Sequence, residues 1–431
     1  MSPLVAFAGL VTIGLLAMRL PRPPQHYVAS LDPVLAGGAA LVLSGLVLGP
    51  GIDLLTRPVL VAFAPVTTLA VGWIGAALGA RFERRYLRRI PRAAWLLAMI
   101  AAAGAFIVVA VAAWLLTRAV PALAGAWTPR LAAILTLAAV GAVASPDAVA
   151  RVARTTGVPR RTARALSLAA TLEAAFATVA ISVPLALHRS HPLAGRGPLG
   201  WLSWILLAAA GGALAGAVFI ALTRGLPTRA GLGCLLVGTL AFAAGFGYAV
   251  GLSPFVVCAL AAAVVVNRSP HRHAVRQLLA EWQPLVYGIL LVVTGALLVL
   301  PTPWLLVAAA LLVVLRAASQ WASVRYSRVA LHRTDVPPDF GLGTVAPGGV
   351  AIALGLSFVF TYGLQGPAAG DPTLTTIVLG VAAALLAATP LMTRALSGRV
   401  ARPAAVAPAA PLTGSTAAAE LSANAPAEWP R

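Results

Sequence analysis

The sequence predicts an all-α polytopic membrane protein of about 13 transmembrane helices. Three observations predict it: a mean hydropathy of +0.93, a charged content of only 10%, and long apolar runs separated by arginines. A soluble domain needs roughly a quarter of its residues charged to clothe its surface, so an ordinary soluble fold is excluded for this chain of 431 residues. The net charge of +20 comes wholly from arginine. These arginines sit in short clusters between apolar runs, with no aromatic-interleaved basic face, which excludes a nucleic-acid partner. Cys234 and Cys258 both lie inside apolar stretches and read as packing residues, neither a disulfide framework nor a thiolate metal site.

Apolar stretches of the length a bilayer requires fall near residues 3–20, 33–50, 58–80, 93–117, 131–150, 165–187, 199–223, 230–250, 253–267, 284–301, 303–324, 341–361 and 373–393. The first lacks a basic leader and an Ala-x-Ala site, so it is expected to be a retained helix and not a signal peptide. Little more than Gly251-Leu252-Ser253-Pro254 separates the eighth from the ninth. Arginine placement tests the count. Of the 31 arginines, 25 follow odd-numbered spans, among them Arg81, Arg84, Arg85, Arg88, Arg89 and Arg92 after the third, and five follow even-numbered spans. Positive charge collects in cytoplasmic loops. The expected arrangement is therefore a multi-pass protein of the cell membrane with its N-terminus outside and its C-terminus in the cytoplasm. Residues 1–395 form the membrane domain, and 396–431, rich in Ala and Pro, form a disordered tail. Gly341-x-Gly343 opens an apolar span with no strand before it, so it is no dinucleotide fingerprint, and nothing else in the chain asks for a cofactor.

Charges inside a span cost about 2.5–3.5 kcal/mol on insertion and mark function by default. Of the 11 carboxylates, all but two belong to loops, helix ends or the tail, Glu281 being an interfacial residue at the start of the tenth span. Asp147 lies in Ala144-Ser145-Pro146-Asp147-Ala148-Val149-Ala150, and Glu173 in Thr171-Leu172-Glu173-Ala174-Ala175-Phe176. Pro146 removes a backbone donor and frees a carbonyl, which lipid cannot satisfy, so the fifth span breaks against a polar interior. Arg316 is the one arginine well inside a span, and its obvious partners are Glu173 and, after it, Asp147. A second interruption, Gly343-Thr344-Val345-Ala346-Pro347-Gly348-Gly349-Val350, falls in the twelfth span. Breaks at the fifth and twelfth spans are what two inverted repeats produce in secondary transporters, with half-helix ends facing a midplane ion site.

These stretches resemble the monovalent cation:proton antiporter superfamily, the Na+/H+ exchanger and Kef-like group. Ser44-Gly45-Leu46-Val47-Leu48-Gly49-Pro50 resembles its second-span signature. Ser145-Pro146-Asp147-Ala148-Val149-Ala150 with Gly157-Val158-Pro159 resembles its first broken helix, and Pro347-Gly348-Gly349-Val350-Ala351 its second. Glu281-Trp282-Gln283-Pro284 through Thr294-Gly295-Ala296-Leu297 is similar to its tenth span, and Arg316 to the basic residue of the next. The resemblance covers roughly residues 1–395. It implies two inverted repeats, a dimerisation domain beside a moving core, and a homodimer. The sequence departs from the pattern at its centre, where Ser145 stands in place of the motif aspartate. Glu173 meets the first residue of the sixth-span acidic pair, and Ala174 meets the aspartate credited with ion binding.

Two functions fit. One is exchange of a monovalent cation, Na+ or K+, for protons by alternating access. Glu173 would titrate, Asp147, the Ser145 hydroxyl and carbonyls freed near Pro146 would supply oxygen ligands, and Arg316, Pro347, Gly348 and Gly349 would support them. The other is a transport-inactive or channel-like relative in which Glu173 and Arg316 form a fixed ion pair. A membrane-embedded enzyme is disfavoured, since the six histidines fall in loops or span ends and neither His-Glu-x-x-His nor paired intramembrane aspartates occur.

Overall fold

A computed structural model describes residues 38–88, 92–119, 127–155, 160–187, 200–225, 228–298, 304–330, 340–345, 347–360 and 378–384. Among these residues the structure is helical throughout, with no β-strand. Seven helices are long and apolar enough to cross a membrane, and four shorter apolar helices accompany them.

The chain runs through α1 (Ala39–Leu46), extended by a π-helical turn at Val47–Gly51, then α2 (Ala64–Gly79), α3 (Arg92–Ala119), α4 (Trp127–Ala142) and α5 (Pro146–Thr155). It continues as α6 (Arg160–Leu187), α7 (Gly200–Leu222), α8 (Arg229–Val250), α9 (Pro254–Arg268), α10 (Arg272–Leu297), α11 (Trp304–Ala330) and α12 (Gly348–Phe358). The fifth span breaks as expected, α4 ending at Ala142 and α5 restarting at Pro146, where proline suits a first helical turn. Gly251 ends α8 in the left-handed region (φ 74°), and Pro254 opens α9, which fixes the boundary between the eighth and ninth spans.

Three expectations need correction. The tenth helix starts at Arg272, well before the predicted 284, because Val275, Leu278 and Leu279 bury an apolar stripe that carries the helix through Pro284. The twelfth span has only a 3₁₀ turn, Phe340–Thr344, before its break. The third is divided at Phe63, ahead of Pro65, into Arg57–Ala62 and α2. The first span, most of the thirteenth, the tail and Gly157-Val158-Pro159 lie outside the described residues. Within the thirteenth, Val378, Leu379, Val381 and Ala382 are buried.

α7 leaves Leu202, Leu206, Leu214 and Val218 exposed, and α3 leaves Ile100, Ile107, Val111 and Leu115 exposed. Such outward aliphatic faces belong against hydrocarbon, and the protein is a multi-pass membrane protein. Inside, packing falls into groups. One gathers Trp73, Phe219, Leu240, Val257 and Val275 from α2 and α7 to α10. Another gathers Leu97, Val149, Leu166, Leu172 and Val324 from α3, α5, α6 and α11. A larger cluster joins them through α4, α10 and α12. α2 approaches α9 closely, for a Cβ on Gly75 would stand 2.2 Å from the Phe255 carbonyl oxygen and one on Gly79 2.0 Å from that of Ala259. Small residues permit such contact where lipid offers no hydrophobic drive between helices. Cys258 is buried there as expected, whereas Cys234 is exposed on α8.

Candidate functional site

The two breaks meet. Gly348, the first residue of α12, has φ +54°, and a Cβ on it would lie 2.6 Å from the Ser145 Cβ. Glycine is required there twice over, for the left-handed backbone and for the space. Ser145 is buried, and its Oγ accepts from the Ala148 amide at 3.4 Å at the start of α5. Pro347 is buried at the N-cap of α12, and Gly349 lies against the Tyr287 ring, which leaves no room for a side chain.

Unwinding leaves backbone carbonyls without helical partners. Arg316, fully buried on α11, meets them. Its Nε donates to the Gly141 oxygen at 2.8 Å, one Nη to the Val345 oxygen at 2.8 Å, and the other Nη to the Val143 oxygen. One planar fork therefore ties the end of α4 to the segment that leads into α12, as only a guanidinium can. The ion pair expected between Arg316 and Glu173 is not formed, since none of the salt bridges among the described residues joins them. Three freed carbonyls satisfy the cation instead, and Glu173 acts on it only through space. The carbonyls near Pro146, expected as ion ligands, are thus in part already engaged.

Glu173 is buried on α6 and accepts from the Gln320 Nε2 at 2.9 Å, while the Thr344 hydroxyl donates to the Gly341 oxygen at 3.1 Å. Sequence reasoning missed Gln320. The available signal was its spacing, four residues after Arg316 on the same face of an otherwise apolar helix.

Asp147 occupies different surroundings. It stands in the first turn of α5, pairs with Arg81 just beyond α2, and accepts from the Gln283 Nε2 on α10 at 2.9 Å. These residues line a cavity of about 370 Å³ with Ser167, Thr171, Arg276 and Glu83. Glu173 does not line it. Thr171 does, and two residues along a helix turn the next side chain to the opposite face, toward α11. Beside the cavity Glu83 pairs with Arg276 at 2.8 Å and Arg272 at 3.5 Å, while Glu281, placed at an interface, pairs with Arg229 in the open.

Burial alone would raise the Glu83 carboxyl. The hydrogen bond from Arg276 and the charges of Arg276, Arg272 and Arg85 outweigh burial and hold it below the usual carboxylate range. A depressed carboxyl contributes stability above its unfolded pKa, and that contribution is lost as pH falls through the folded one. The drop in unfolding temperature caused by Glu83→Gln is therefore expected to be full near pH 7 and to shrink on acidification below about pH 4.5. Thermal unfolding of the detergent-solubilised protein across this range checks it, and a pH-independent difference would refute it.

No family model matches the chain, and no curated protein sequence does. Among solved structures, the fold matches that of the sodium proton antiporter MjNhaP1 from Methanocaldococcus jannaschii. The TM-score is 0.64 at 15% identity, over 92% of this chain and 98% of that one. At that identity what the two share is the fold.

Proposed function

We propose that the protein is a secondary transporter that exchanges a monovalent cation, Na+ or K+, for protons across the cell membrane by alternating access. It works as a homodimer with the N-terminus outside and the C-terminus cytoplasmic. The observation that carries this proposal is Asp147, a carboxylate at the crossing of two broken helices that faces a polar cavity. A carboxylate can hold a proton or a hard cation, and competition for one site couples the two fluxes. Asp147 lines the cavity with Ser167, Thr171 and Gln283, the Ser145 hydroxyl lies beside the crossing, and the other carboxylate of the lining, Glu83, is already paired with Arg276 and Arg272. Glu173 is the deeper of the two acidic groups. Either it takes the proton in exchange, or it holds α11 in place through Gln320.

A second assignment, a transport-inactive or channel-like relative, draws on one observation. Both intramembrane carboxylates are already held, Asp147 by Arg81 and Glu173 by Gln320. Proton flux into proteoliposomes, followed with a pH-sensitive dye as Na+, K+ or Li+ is added, decides between them. Flux that depends on at least one of these cations is expected. Its absence with all three would leave the fixed network standing in place of antiport.

A further inference from the structure

The Arg81–Asp147 pair joins elements that otherwise pack in different groups. Arg81 follows α2, which packs with α9 and α8, and Asp147 opens α5, whose core contacts are with α3 and α6. The pairing is selective. Glu83 also lines the cavity, but Arg276 and Arg272 already occupy it, which leaves Asp147 as the carboxylate open to Arg81. On Asp147 itself the two oxygens are divided, Oδ1 to Arg81 and Oδ2 to Gln283. Removing Arg81 would therefore free one oxygen without loosening the other. Both side chains of the pair are 32% exposed, so small ions from the cavity can reach it. A guanidinium on a flexible stem, in contact with water, offers the carboxylate the same unit positive charge that a monovalent cation would.

We propose that Arg81 is a tethered counter-cation, which occupies Asp147 until a transported cation replaces it, so that cation binding at Asp147 also unfastens α5 from α2. This rests on the antiport assignment. It adds that empty Asp147 is never bare, and that one exchange of partners both admits the ion and releases the direct link between α2 and α5, while Gln283 keeps its hold on the other oxygen. Cations compete with a residue of the protein, and removing that residue makes their binding tighter.

The test compares wild type, Arg81→Gln, Arg81→Lys and the double variant Arg81→Gln/Asp147→Asn, all as full chains. One readout is the cation concentration at half-maximal proton flux in proteoliposomes. The other is the rise in unfolding temperature that NaCl or KCl causes in detergent, with choline chloride as the ionic-strength control. Arg81→Gln is expected to lower the half-saturating concentration at least about threefold, the scale of a partly exposed ion pair. It should also enlarge the cation-induced stabilisation, and the double variant should show neither effect. Arg81→Lys, with a weaker grip on a carboxylate, should shift the same way by a smaller factor and keeps the test alive if Arg81→Gln fails to fold. A wild type that transports while neither variant lowers the half-saturating concentration overturns this proposal and leaves antiport intact. A wild type without flux beside an Arg81→Gln protein that gains cation-induced stabilisation supports it. No flux and no stabilisation in any form overturns both.

Discussion

Asp147→Asn is expected to reduce cation-dependent proton flux to that of empty liposomes. The amide keeps the shape of the carboxyl and can still accept from Gln283, so the fold around the first turn of α5 has its packing intact. What it loses is charge. An amide neither exchanges a proton in the working range nor offsets the desolvation of a bound cation, and in a membrane interior that offset decides whether the ion enters at all. The variant also strands the Arg81 guanidinium, but that group is partly exposed and can turn to water in the cavity, so the stability cost is about 1 kcal/mol or less. Gel filtration and thermal unfolding should thus find a folded protein, and the loss should be specific to transport. Measured beside it, Glu173→Gln assigns the deeper carboxyl. Equal loss makes both groups part of the exchange, whereas retained flux makes Glu173 a brace for α11. Full cation-dependent flux in Asp147→Asn would remove the cavity carboxylate from the mechanism.

Legibility in the sequence followed local chemistry. Pro146 and Pro347-Gly348-Gly349 announce breaks because proline withholds a donor and glycine alone tolerates φ +54° against Ser145. The spans follow from apolar length, so the helices from α6 to α9 begin and end close to where hydropathy places them. α10 departs from that rule since its first turns are amphipathic and held by Val275, Leu278 and Leu279, a stripe too short to register as a membrane span. Partners across the fold were illegible for a different reason. Nothing in a linear sequence says that Arg316 would find Gly141, Val143 and Val345 before Glu173, because backbone carbonyls carry no residue identity. Arg81 was hidden by its company. Among the arginines that follow the third span it reads as topology, and only the fold brings it to Asp147.

Arg316→Met should be the most destabilising single substitution at the crossing. Methionine fills much of the same buried volume, so the loss is chiefly of donors and not of packing. Three carbonyls, at Gly141, Val143 and Val345, would be left in a site with no exposure. An orphaned buried group costs about 1–3 kcal/mol, which places the total for three on the order of 3–9 kcal/mol if none finds water. The Gly141 and Val143 oxygens lie at the C-terminal end of α4, where the helix dipole also favours a cation, so the deficit there is electrostatic as well as geometric. Arg316→Lys should recover only part, since a compact ammonium at the end of a single stem cannot reach all three oxygens as the planar fork does. The expected order of unfolding temperatures in detergent is wild type, then Arg316→Lys, then Arg316→Met, with Glu173→Gln well above the last because the guanidinium keeps its carbonyls without that carboxylate. If Glu173→Gln instead falls as far as Arg316→Met, the through-space attraction between them holds the crossing together, and the carbonyl brace is secondary.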